Sequence, residues 1–375
     1  MRCAIVHYWL LGMRGGEKVV EALCRLFPEA DIFTLFYDAA RVSPVIRSHS
    51  VKSSFLNPFK GHYRSLLALM PLALERWDLR DYDLIISSES GPAKGVITRS
   101  DAQHVCYCHS PMRYLWDLYP AYINEWTRSG FKRALMAPLS NYLRLWDYAT
   151  AARVDEFIAN SQNVARRIWK TYRRPSDVVY PPVPVQTFFN QDSKDYYLIV
   201  SELVAYKRIA DAVIAFSKSG RRLKIVGHGP EYKRLKAFAG NTIEFCGRVT
   251  DLEIRELYSR CRAVLLPGEE DFGIVPVEAI ASGKAVIALG RGGVLESVPQ
   301  HNPHAGFFYN SPGSEFLLSA VTRFEQEEVS LSPRAIQAAA QRFSEARFQS
   351  QMRKLVFGNL QKVDTFPTTL VIPAS

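Results

Sequence analysis

Short apolar segments alternate with segments of helical length along the chain. In the first half, apolar segments flanked by polar residues, glycine or proline predict strands at Cys3–His7, Asp31–Phe36, Leu84–Ser87, His104–Tyr107 and Glu156–Ala159. Apolar side chains recur at helical spacing over Glu17–Phe27, just after a glycine turn at Gly15-Gly16. Short strands that alternate with helices favour a parallel α/β sheet, so the chain opens like a Rossmann-like domain.

The second half repeats this architecture after a proline-rich segment. Tyr180-Pro181-Pro182-Val183-Pro184 excludes a helix or a central strand, so we interpret it as a linker between domains. Strands are then predicted at Tyr196–Ser201, Leu223–Val226, Ile243–Cys246, Ala263–Leu266 and Ala285–Ala288. We therefore expect Rossmann-like domains at residues 1–183 and 184–345. Residues 346–375 are expected to form a helix and tail that could pack back on the first domain.

The C-terminal part of this prediction combines two patterns. Ser344–Lys362 has the spacing of an amphipathic helix, whereas Asp364–Ser375 is a Pro/Thr-rich tail that we expect to be poorly ordered. A chain of 375 residues exceeds what one hydrophobic core usually organises, and its length fits two domains.

Charge and hydropathy narrow the class of protein. The 47 Lys and Arg residues outnumber the 37 Asp and Glu residues, which implies anionic partners such as nucleotide diphosphates, lipid phosphates or nucleic acid. Met1–Leu11 is interrupted by His7 and precedes no small-residue cleavage site. Runs of about 18 apolar residues are absent from the sequence. These features predict a cytoplasmic protein without a signal peptide or a membrane-spanning helix.

The positions of the cysteines indicate buried free thiols. All six are scattered along the sequence, and the C-x-C pair Cys106 and Cys108 lies near His104 and His109. This group could be read as a zinc site, but no second Cys/His pair with ligand spacing completes it. We therefore favour packing over metal binding for these thiols.

The strongest chemical signal lies at Pro267–Gly283, where an apolar strand meets an apolar helix. Glu270 and Glu278 are separated by seven residues, and Phe272, Gly273 and Ile274 lie between them. A junction of this kind offers free backbone N–H groups to a phosphate or a sugar, and a carboxylate in the helix can accept hydrogen bonds from a ribose. The segment resembles the E-x7-E motif of glycosyltransferase family 4, whose members have the GT-B fold.

Further segments resemble the same family in the same order along the chain. His7-Tyr8-Trp9 with Gly15-Gly16 resembles the N-terminal glycine loop beside the donor phosphates, and Cys108-His109-Ser110-Pro111-Met112-Arg113-Tyr114 resembles the loop whose histidine lies against the donor sugar. The resemblance implies two Rossmann-like domains that face each other across a cleft.

The nucleotide-binding half of the resemblance lies in the second domain. Ser201–Arg208 resembles the turn that binds the pyrophosphate, so Lys207 and Arg208 are implied to contact it. Gly227-His228-Gly229 and Gly247-Arg248-Val249 resemble the loops beside the base, which implies donor contacts at Gly227, Gly229 and Arg248. Glu202 departs from the family pattern, because many members have an arginine five residues before the lysine.

The resemblance implies retention of the anomeric configuration, with Glu270, His109 and Lys207 as catalytic residues. The donor-binding residues would be Gly15, Gly16, Arg208, Gly227, Gly229, Arg248, Phe272, Gly273, Ile274 and Glu278. No metal or other cofactor is expected, because Lys207, Arg208 and helix N-terminal amides can stabilise the leaving phosphate. Asp81-Tyr82-Asp83 resembles a metal-binding Asp-x-Asp pair, but we interpret it as the start of a strand.

Two smaller motifs have competing interpretations. Gly292-Gly293 with Glu296 could continue the donor wall or form a plain turn. Asn160-Ser161 follows a predicted strand and is interpreted as a helix cap.

Two basic and aromatic segments, Lys52–Trp77 and Phe131–Arg153, are candidates for the acceptor side. In the first, a helix with Phe59, Tyr63, Leu66, Leu67 and Met70 on one side could lie on an anionic membrane surface, although core packing with a solvated basic face is the commoner explanation of such a pattern. The resemblance is greatest to the bacterial O-antigen and exopolysaccharide mannosyltransferase branch. It implies GDP-mannose as donor and a polyprenyl-diphosphate-linked oligosaccharide as acceptor, with the protein peripheral on the inner face of the cell membrane.

Other functions remain open. The chain could use a UDP-sugar carrying glucose, galactose or GlcNAc, or act as a nucleotide-sugar 2-epimerase, or serve as a catalytically silent partner subunit because of Glu202. A nucleic-acid-binding protein is disfavoured, because the sequence has no helix-turn-helix, zinc-finger or aromatic RNA-binding pattern.

Overall fold

The computed structural model describes residues 1–120, 130–301 and 304–363, with side chains omitted at 130–135 and 359–363. The chain divides into two compact units. Unit 1 comprises Met1–Ala159, Arg167–Val179 and the described chain from Ala346, and unit 2 comprises Asn160–Arg166 and Tyr180–Glu345. The expected tail at 364–375 lies outside the described residues.

Within the described residues, unit 1 is built on a seven-stranded sheet with the order β3-β2-β1-β4-β5-β6-β7. All of its strand pairs are parallel. Because the chain order reverses between β1 and β4, the loops at the carboxyl ends of these strands are where ligands of such sheets usually bind. The strands are Cys3–Leu10 (β1), Asp31–Tyr37 (β2), Val51–Ser53 (β3), Leu84–Glu89 (β4), Gln103–Cys108 (β5), Glu156–Ala159 (β6) and Asp177–Val178 (β7).

The helices of unit 1 cover both faces of this sheet with apolar side chains. Its final helix contributes Phe348, Met352 and Val356 to the same core as β1 and β4. The helix expected at Ser344–Lys362 is thus confirmed, with its apolar face in unit 1. The α-helices are Gly15–Leu26 (α1), Pro44–Arg47 (α2), Met70–Glu75 (α3), Gly130–Thr150 (α4), Gln162–Tyr172 (α5, which begins in unit 2) and, last in the chain, Glu345–Val363 (α13).

Unit 2 has a six-stranded parallel sheet in its described residues, with the order β10-β9-β8-β11-β12-β13. Its order reverses between β8 and β11. The strands are Tyr197–Val200 (β8), Leu223–Val226 (β9), Ile243–Gly247 (β10), Ala263–Leu266 (β11), Ala285–Leu289 (β12) and Gly306–Tyr309 (β13). The helices are Ile209–Ser219 (α6), Tyr232–Ala237 (α7), Asp251–Arg260 (α8), Ile274–Ala281 (α9), Val294–Ser297 (α10), Ser314–Glu327 (α11) and Pro333–Ala340 (α12).

The predicted pair of Rossmann-like parallel sheets is confirmed. Three strands, β3, β7 and β13, were not predicted from the sequence. Of these, β3 has only three residues and β7 only two. The expected linker at 180–184 lies next to the crossing between units at 179–180, and Val183 is buried and pairs with Ser344. Ser161 caps α5 as expected, because its Oγ accepts the Val164 N–H at 3.1 Å.

The single amphipathic helix expected around Phe59–Met70 is wrong. Asn57–Leu69 is a 3-10 segment with non-helical dihedral angles at Phe59 and His62, and only then does α3 begin at Met70. Pro58, Gly61 and Pro71 interrupt regular α-helical hydrogen bonding here. Leu67 and Met70 are buried, whereas Phe59 is 60% exposed, so the apolar residues do not share one buried face.

Among the described residues, no helix combines the length and apolar character needed to span a bilayer.

Candidate functional site

In unit 1, residues of β1 and of the loop after β5 converge on Gly16, the second residue of α1. A Cβ atom at Gly16 would lie 3.1 Å from the Tyr8 hydroxyl, 3.5 Å from His7 Cε1 and 3.6 Å from His109 Nε2. His109 Nε2 is 2.9 Å from Ser88 Oγ, at the end of β4. The structure therefore brings Gly16 and His109 together at the carboxyl edge of the sheet, beside Gly15 at the start of α1. Ser88, which the sequence did not single out, orients the imidazole.

His7 is a buried neutral partner in this group. Its Nδ1 lies 2.8 Å from the carbonyl oxygen of Ser88, so Nδ1 carries the proton and donates it. Burial, together with the smaller effect of the nearby His109, lowers the pKa of His7 to about 3, against the opposing effect of the hydrogen bond to Ser88. His7 Nε2 is an acceptor with no hydrogen-bond partner in the described residues.

The start of α1 is fixed by a buried carboxylate. Glu17 accepts the Arg14 N–H at 3.1 Å, which closes a capping box around the two glycines. Burial raises the pKa of Glu17 to about 7, against the opposing effects of backbone hydrogen bonds and Arg14. The glycine loop predicted from the sequence is therefore held by a side chain of α1 itself.

In unit 2, Lys207 and Glu270 form the closest pair among the predicted catalytic residues. Lys207 Nζ lies 2.5 Å from Glu270 Oε2, and both side chains are less than one-fifth exposed. Lys207 follows β8 and Glu270 follows β11, the two strands between which the sheet order reverses. A lysine and a carboxylate thus meet at the edge where a ligand of this sheet type usually binds.

The backbone around this pair is held by glycines. A Cβ at Gly268 would lie 2.6 Å from the Lys207 Cα, and one at Gly292 would lie 2.4 Å from the Glu270 carbonyl oxygen. Gly293 also donates its N–H to that carbonyl at 2.8 Å. The Gly292-Gly293 turn therefore supports Glu270, and Gly268, which the sequence interpretation did not single out, allows the close approach of the Lys207 backbone.

Gly268→Ala is expected to lower the glycosyl-transfer rate that the sequence resemblance implies at least tenfold, because the new methyl group would displace the Lys207 backbone by several tenths of an ångström. Gly12→Ala is the matched control, since a Cβ there meets nothing within 4 Å. Initial rates of both variants, with thermal unfolding to verify folding, test this. Equal rates for the two variants would contradict the role assigned to the Gly268 contact.

Glu278 lies inside α9 and is 5% exposed. The buried hydroxyl of Tyr258 donates to Glu278 Oε2 at 2.9 Å, which fixes the carboxylate orientation. Gly273 has φ of 84°, a conformation that favours glycine, and α9 begins at Ile274 directly after it. Phe272 packs in the core against Tyr180 and Phe343, so a donor contact at this position would come from its backbone rather than its ring.

The remaining predicted donor contacts differ in their local environment. Arg208 has φ of 54° and precedes α6, and its Nε donates to Asp211 at 2.8 Å. Gly227 and Gly229 pack against the β8–α6 loop, since Cβ atoms there would lie 1.8 Å from Ser201 O and 2.3 Å from Leu203 O. Arg248 is exposed after β10. These residues belong to neighbouring loops of unit 2.

Glu296 has structural partners at the start of α5. It lies in α10, and its carboxylate accepts the N–H groups of Gln162 and Asn163 at 2.7 and 2.8 Å, so it caps α5. Its glycine neighbours contact the Glu270 backbone instead.

The Asp-x-Asp pair forms ion pairs with arginines, and the cysteines are free thiols. Asp81 pairs with Arg2 at 3.3 Å and Asp83 with Arg99 at 2.6 Å, at the start of β4. All six cysteines are free thiols and five are buried, as expected. The described part of the chain holds no cluster of three His, Cys, Asp or Glu side chains arranged for a metal ion.

Each half of the chain matches a known protein family. Residues 13–187 match the family described as Glycosyltransferase Family 4, and residues 186–342 match the family described as Glycosyl transferases group 1. Two curated relatives are similar over different lengths. The alpha-1,3/1,6-mannosyltransferase ALG2 of Saccharomyces cerevisiae is 25% identical, over 78% of this chain and 70% of the relative. An uncharacterized glycosyltransferase of Methanocaldococcus jannaschii is 28% identical, over 40% of this chain and 44% of the relative.

Solved structures share the fold over nearly the whole chain. The structure of Anabaena HepE in complex with UDP-glucose has a TM-score of 0.70 at 17% identity, and the match covers 96% of this chain and 100% of that one.

Proposed function

The chain is a hexosyltransferase of the GT-B fold, with a Glycosyltransferase Family 4 domain followed by a group 1 domain, and we propose that it transfers mannose from GDP-mannose with retention and without a metal. The observation that carries this proposal is the Lys207–Glu270 pair at the switch point of the unit 2 sheet. It joins a cation for a phosphate with a carboxylate for a sugar at one edge of the sheet.

Lys207 would stabilise the leaving nucleoside diphosphate. When the bond to the anomeric carbon breaks, negative charge develops on the phosphate oxygen, and a fixed ammonium group lowers the energy of that charge. The N-terminal amides of α6 and α9 can add partial positive charge at the same edge. These groups can together replace a divalent ion, so we propose a reaction that needs none.

Glu270 and His109 would act on the sugar. Glu270 is held by Lys207 and by the Gly292-Gly293 turn, so its carboxylate can orient sugar hydroxyls without large motion. His109, oriented by Ser88, would contact the donor sugar from unit 1. Retention would follow if the acceptor attacks from the leaving-group face and the departing phosphate oxygen takes its proton.

Two resemblances point to different donors. The yeast relative is named a mannosyltransferase, whereas the HepE structure contains UDP-glucose. We favour GDP-mannose because the sequence segments around His7, His109 and Lys207 resemble the O-antigen and exopolysaccharide mannosyltransferase branch. A UDP-sugar donor is the alternative, with the same residues and the same chemistry.

A donor screen separates these alternatives. Purified protein is treated with chelator and then assayed for binding and hydrolysis of GDP-mannose, GDP-fucose, UDP-glucose, UDP-galactose and UDP-GlcNAc. Selective use of GDP-mannose is the expected result. Selective use of a UDP-sugar would overturn the donor, and failure to engage any of the five would overturn the transferase proposal for this chain in isolation.

We propose that the acceptor is a polyprenyl-diphosphate-linked saccharide, reached by peripheral binding to an anionic membrane. The support is an exposed surface of unit 1 between residues 55 and 76. Its apolar side chains Phe55, Phe59, Leu69 and Leu72 are 43–60% exposed. The basic residues Lys60, Arg64 and Arg76 lie in the same segment, and the Arg76 guanidinium is 5.3 Å from the Phe55 ring. Apolar and cationic groups side by side match an interface with anionic lipid.

Phe59→Glu is expected to weaken binding to anionic vesicles about tenfold or more, because it removes an apolar group and adds repulsion from the lipid charge. Leu252→Glu in unit 2 is a control at a similarly exposed site, since Leu252 is 65% exposed. Vesicle co-sedimentation with phosphatidylglycerol measures both. Equal binding by the two variants would place the membrane contact elsewhere.

A further inference from the structure

A group of fully buried charges adjoins the end of β4, where Ser88 lies, and the loop after β5, where His109 lies. Lys94, Glu89 and Asp147 are each at most 1% exposed, and Lys94 Nζ contacts Glu89 Oε1 at 3.4 Å and Asp147 Oδ1. The Lys94 N–H also donates to Glu89 Oε2 at 2.8 Å. Burying such a group carries a large desolvation cost, and an apolar replacement is often as stable. Stability alone is therefore a weak reason for these three residues.

Asp147 connects three separate segments of unit 1. Besides Lys94 in the loop after β4, its Oδ2 accepts the Trp116 indole N–H at 2.7 Å and the Tyr172 hydroxyl at 2.9 Å. Trp116 lies in the loop after β5, and Tyr172 ends α5. The carboxylate on α4 therefore ties together the two loops that border His109.

Glu89 connects the contacts of Lys94 and Asp147 to the His109 imidazole. Its carbonyl oxygen accepts the His109 N–H at 2.6 Å, and the preceding residue, Ser88, contacts His109 Nε2 at 2.9 Å. A shift of the Glu89 backbone would therefore move both contacts of His109. The Glu89 side chain is held in turn by Lys94, from both its backbone N–H and its ammonium group.

We propose that Lys94, Glu89 and Asp147 form a positioning network for hexose transfer, which touches no substrate and sets the position of the His109 imidazole. This inference rests on the proposed role of His109 at the donor sugar. It assigns a function to the buried lysine that the sequence motifs left without one.

The charges of the network decide which variants can test it. Burial opposes a charge on Lys94, but Asp147 and Glu89 hold its pKa above the usual value. Burial also raises the pKa of Glu89 to about 7, an effect that Lys94 opposes and Asp147 reinforces. Removing Lys94 alone would leave two buried carboxylates without a cation and would destabilise the fold. Asp147→Asn is milder, because its amide oxygen can still accept a hydrogen bond and Lys94 keeps Glu89 as a partner.

A double-mutant cycle with His109 is the test. Asp147→Asn is expected to lower kcat for hydrolysis of GDP-mannose, or of the UDP-sugar that the wild-type enzyme hydrolyses, about 10- to 100-fold through displacement of His109. The Kd for the nucleoside diphosphate should stay unchanged, since its proposed contacts are in unit 2. In a His109→Ala background, Asp147→Asn should lower kcat by less than about threefold, because the effects of two residues that act through one another are not additive.

Two further variants complete the design. Trp116→Phe removes the indole donor to Asp147 and keeps a smaller aromatic ring, and it should show a smaller loss with the same dependence on His109, so a failure of Asp147→Asn to fold leaves the test intact. Arg99→Met is the control, since it breaks an ion pair with Asp83 at the opposite end of β4 and should leave kcat unchanged.

The outcomes separate this inference from the function on which it rests. An equal loss from Asp147→Asn with and without His109, or no loss in the wild-type background while His109→Ala is inactive, overturns the network alone. Full activity of His109→Ala overturns the proposed role of His109 and the network with it.

Discussion

Lys207→Met should lower the rate of hexose transfer by about 100- to 1,000-fold, because a preorganised group that stabilises charge in the transition state typically contributes that much. Methionine keeps most of the apolar stem of the side chain and removes the ammonium group. Glu270→Gln should cause a loss of similar size, since the neutral amide cannot form an ion pair with the Lys207 ammonium, which lies 2.5 Å from the carboxylate. Initial rates of hydrolysis or transfer of the donor identified in the screen measure both effects.

The rate of the double variant shows whether Lys207 and Glu270 act together or independently. The double variant Lys207→Met/Glu270→Gln should be no more than a few times slower than either single variant, because each already disrupts the same unit. Arg260→Met is the control for loss of a cation in unit 2, since Arg260 pairs with Glu256 on the surface of α8. Near-normal turnover by either single variant with unchanged thermal unfolding would refute the site assignment.

The second large effect is expected at Glu278, on nucleotide affinity. Glu278→Gln should raise the Kd for the nucleoside diphosphate about 10- to 100-fold, because hydrogen bonds to a charged acceptor contribute about 1.5–3 kcal/mol. The kcat at saturating donor should change much less, since a ribose contact is made equally in the ground state and the transition state. Calorimetric titration with GDP and UDP, beside steady-state kinetics, measures the split.

Tyr258→Phe serves as the matched variant for this effect. It removes the hydroxyl that donates to Glu278 Oε2 at 2.9 Å and keeps the charge, so it should weaken nucleotide binding by less than Glu278→Gln. If Glu278→Gln lowers kcat but leaves the Kd unchanged, then Glu278 acts on the sugar or the phosphate rather than on the ribose.

Strands with strong apolar patterns were predictable from the sequence, and irregular backbone was not. Glu156–Ala159, Leu223–Val226 and Ala263–Leu266 were predicted with the bounds that the structure has. The short edge strands β3 and β7 bury few side chains and so leave little apolar signal. The 3-10 backbone at Asn57–Leu69 follows from prolines and a glycine that the apolar spacing alone does not weigh.

Residues of the candidate site could be predicted where the residue type itself indicates a chemical role. Glu270, Lys207 and His109 were identified from motif resemblance, and the structure shows what the motifs do not contain. Ser88, Tyr258 and Gly268 act through contacts between residues 20 to 61 positions apart in the sequence, so only the folded chain reveals them. The same holds for Glu296, whose partners at the start of α5 lie 133 and 134 residues away.

The buried network shows the limit of sequence patterns most clearly. Lys94 and Asp147 are 53 residues apart, and each has the residue type of an ordinary surface position. Nothing in their local sequence predicts that both are fully buried, because burial of a charge depends on a partner supplied by the tertiary fold.

The most direct measurement of the central claim is the anomeric configuration of the first product formed in excess chelator. Proton NMR during early hydrolysis of GDP-mannose, or of the UDP-sugar that the screen selects, resolves the released anomer before mutarotation. We expect the product to keep the configuration of the donor and the rate to be unaffected by chelator. An inverted product, or a rate that chelator abolishes and a divalent ion restores, would contradict a retaining, metal-independent transferase centred on Lys207 and Glu270.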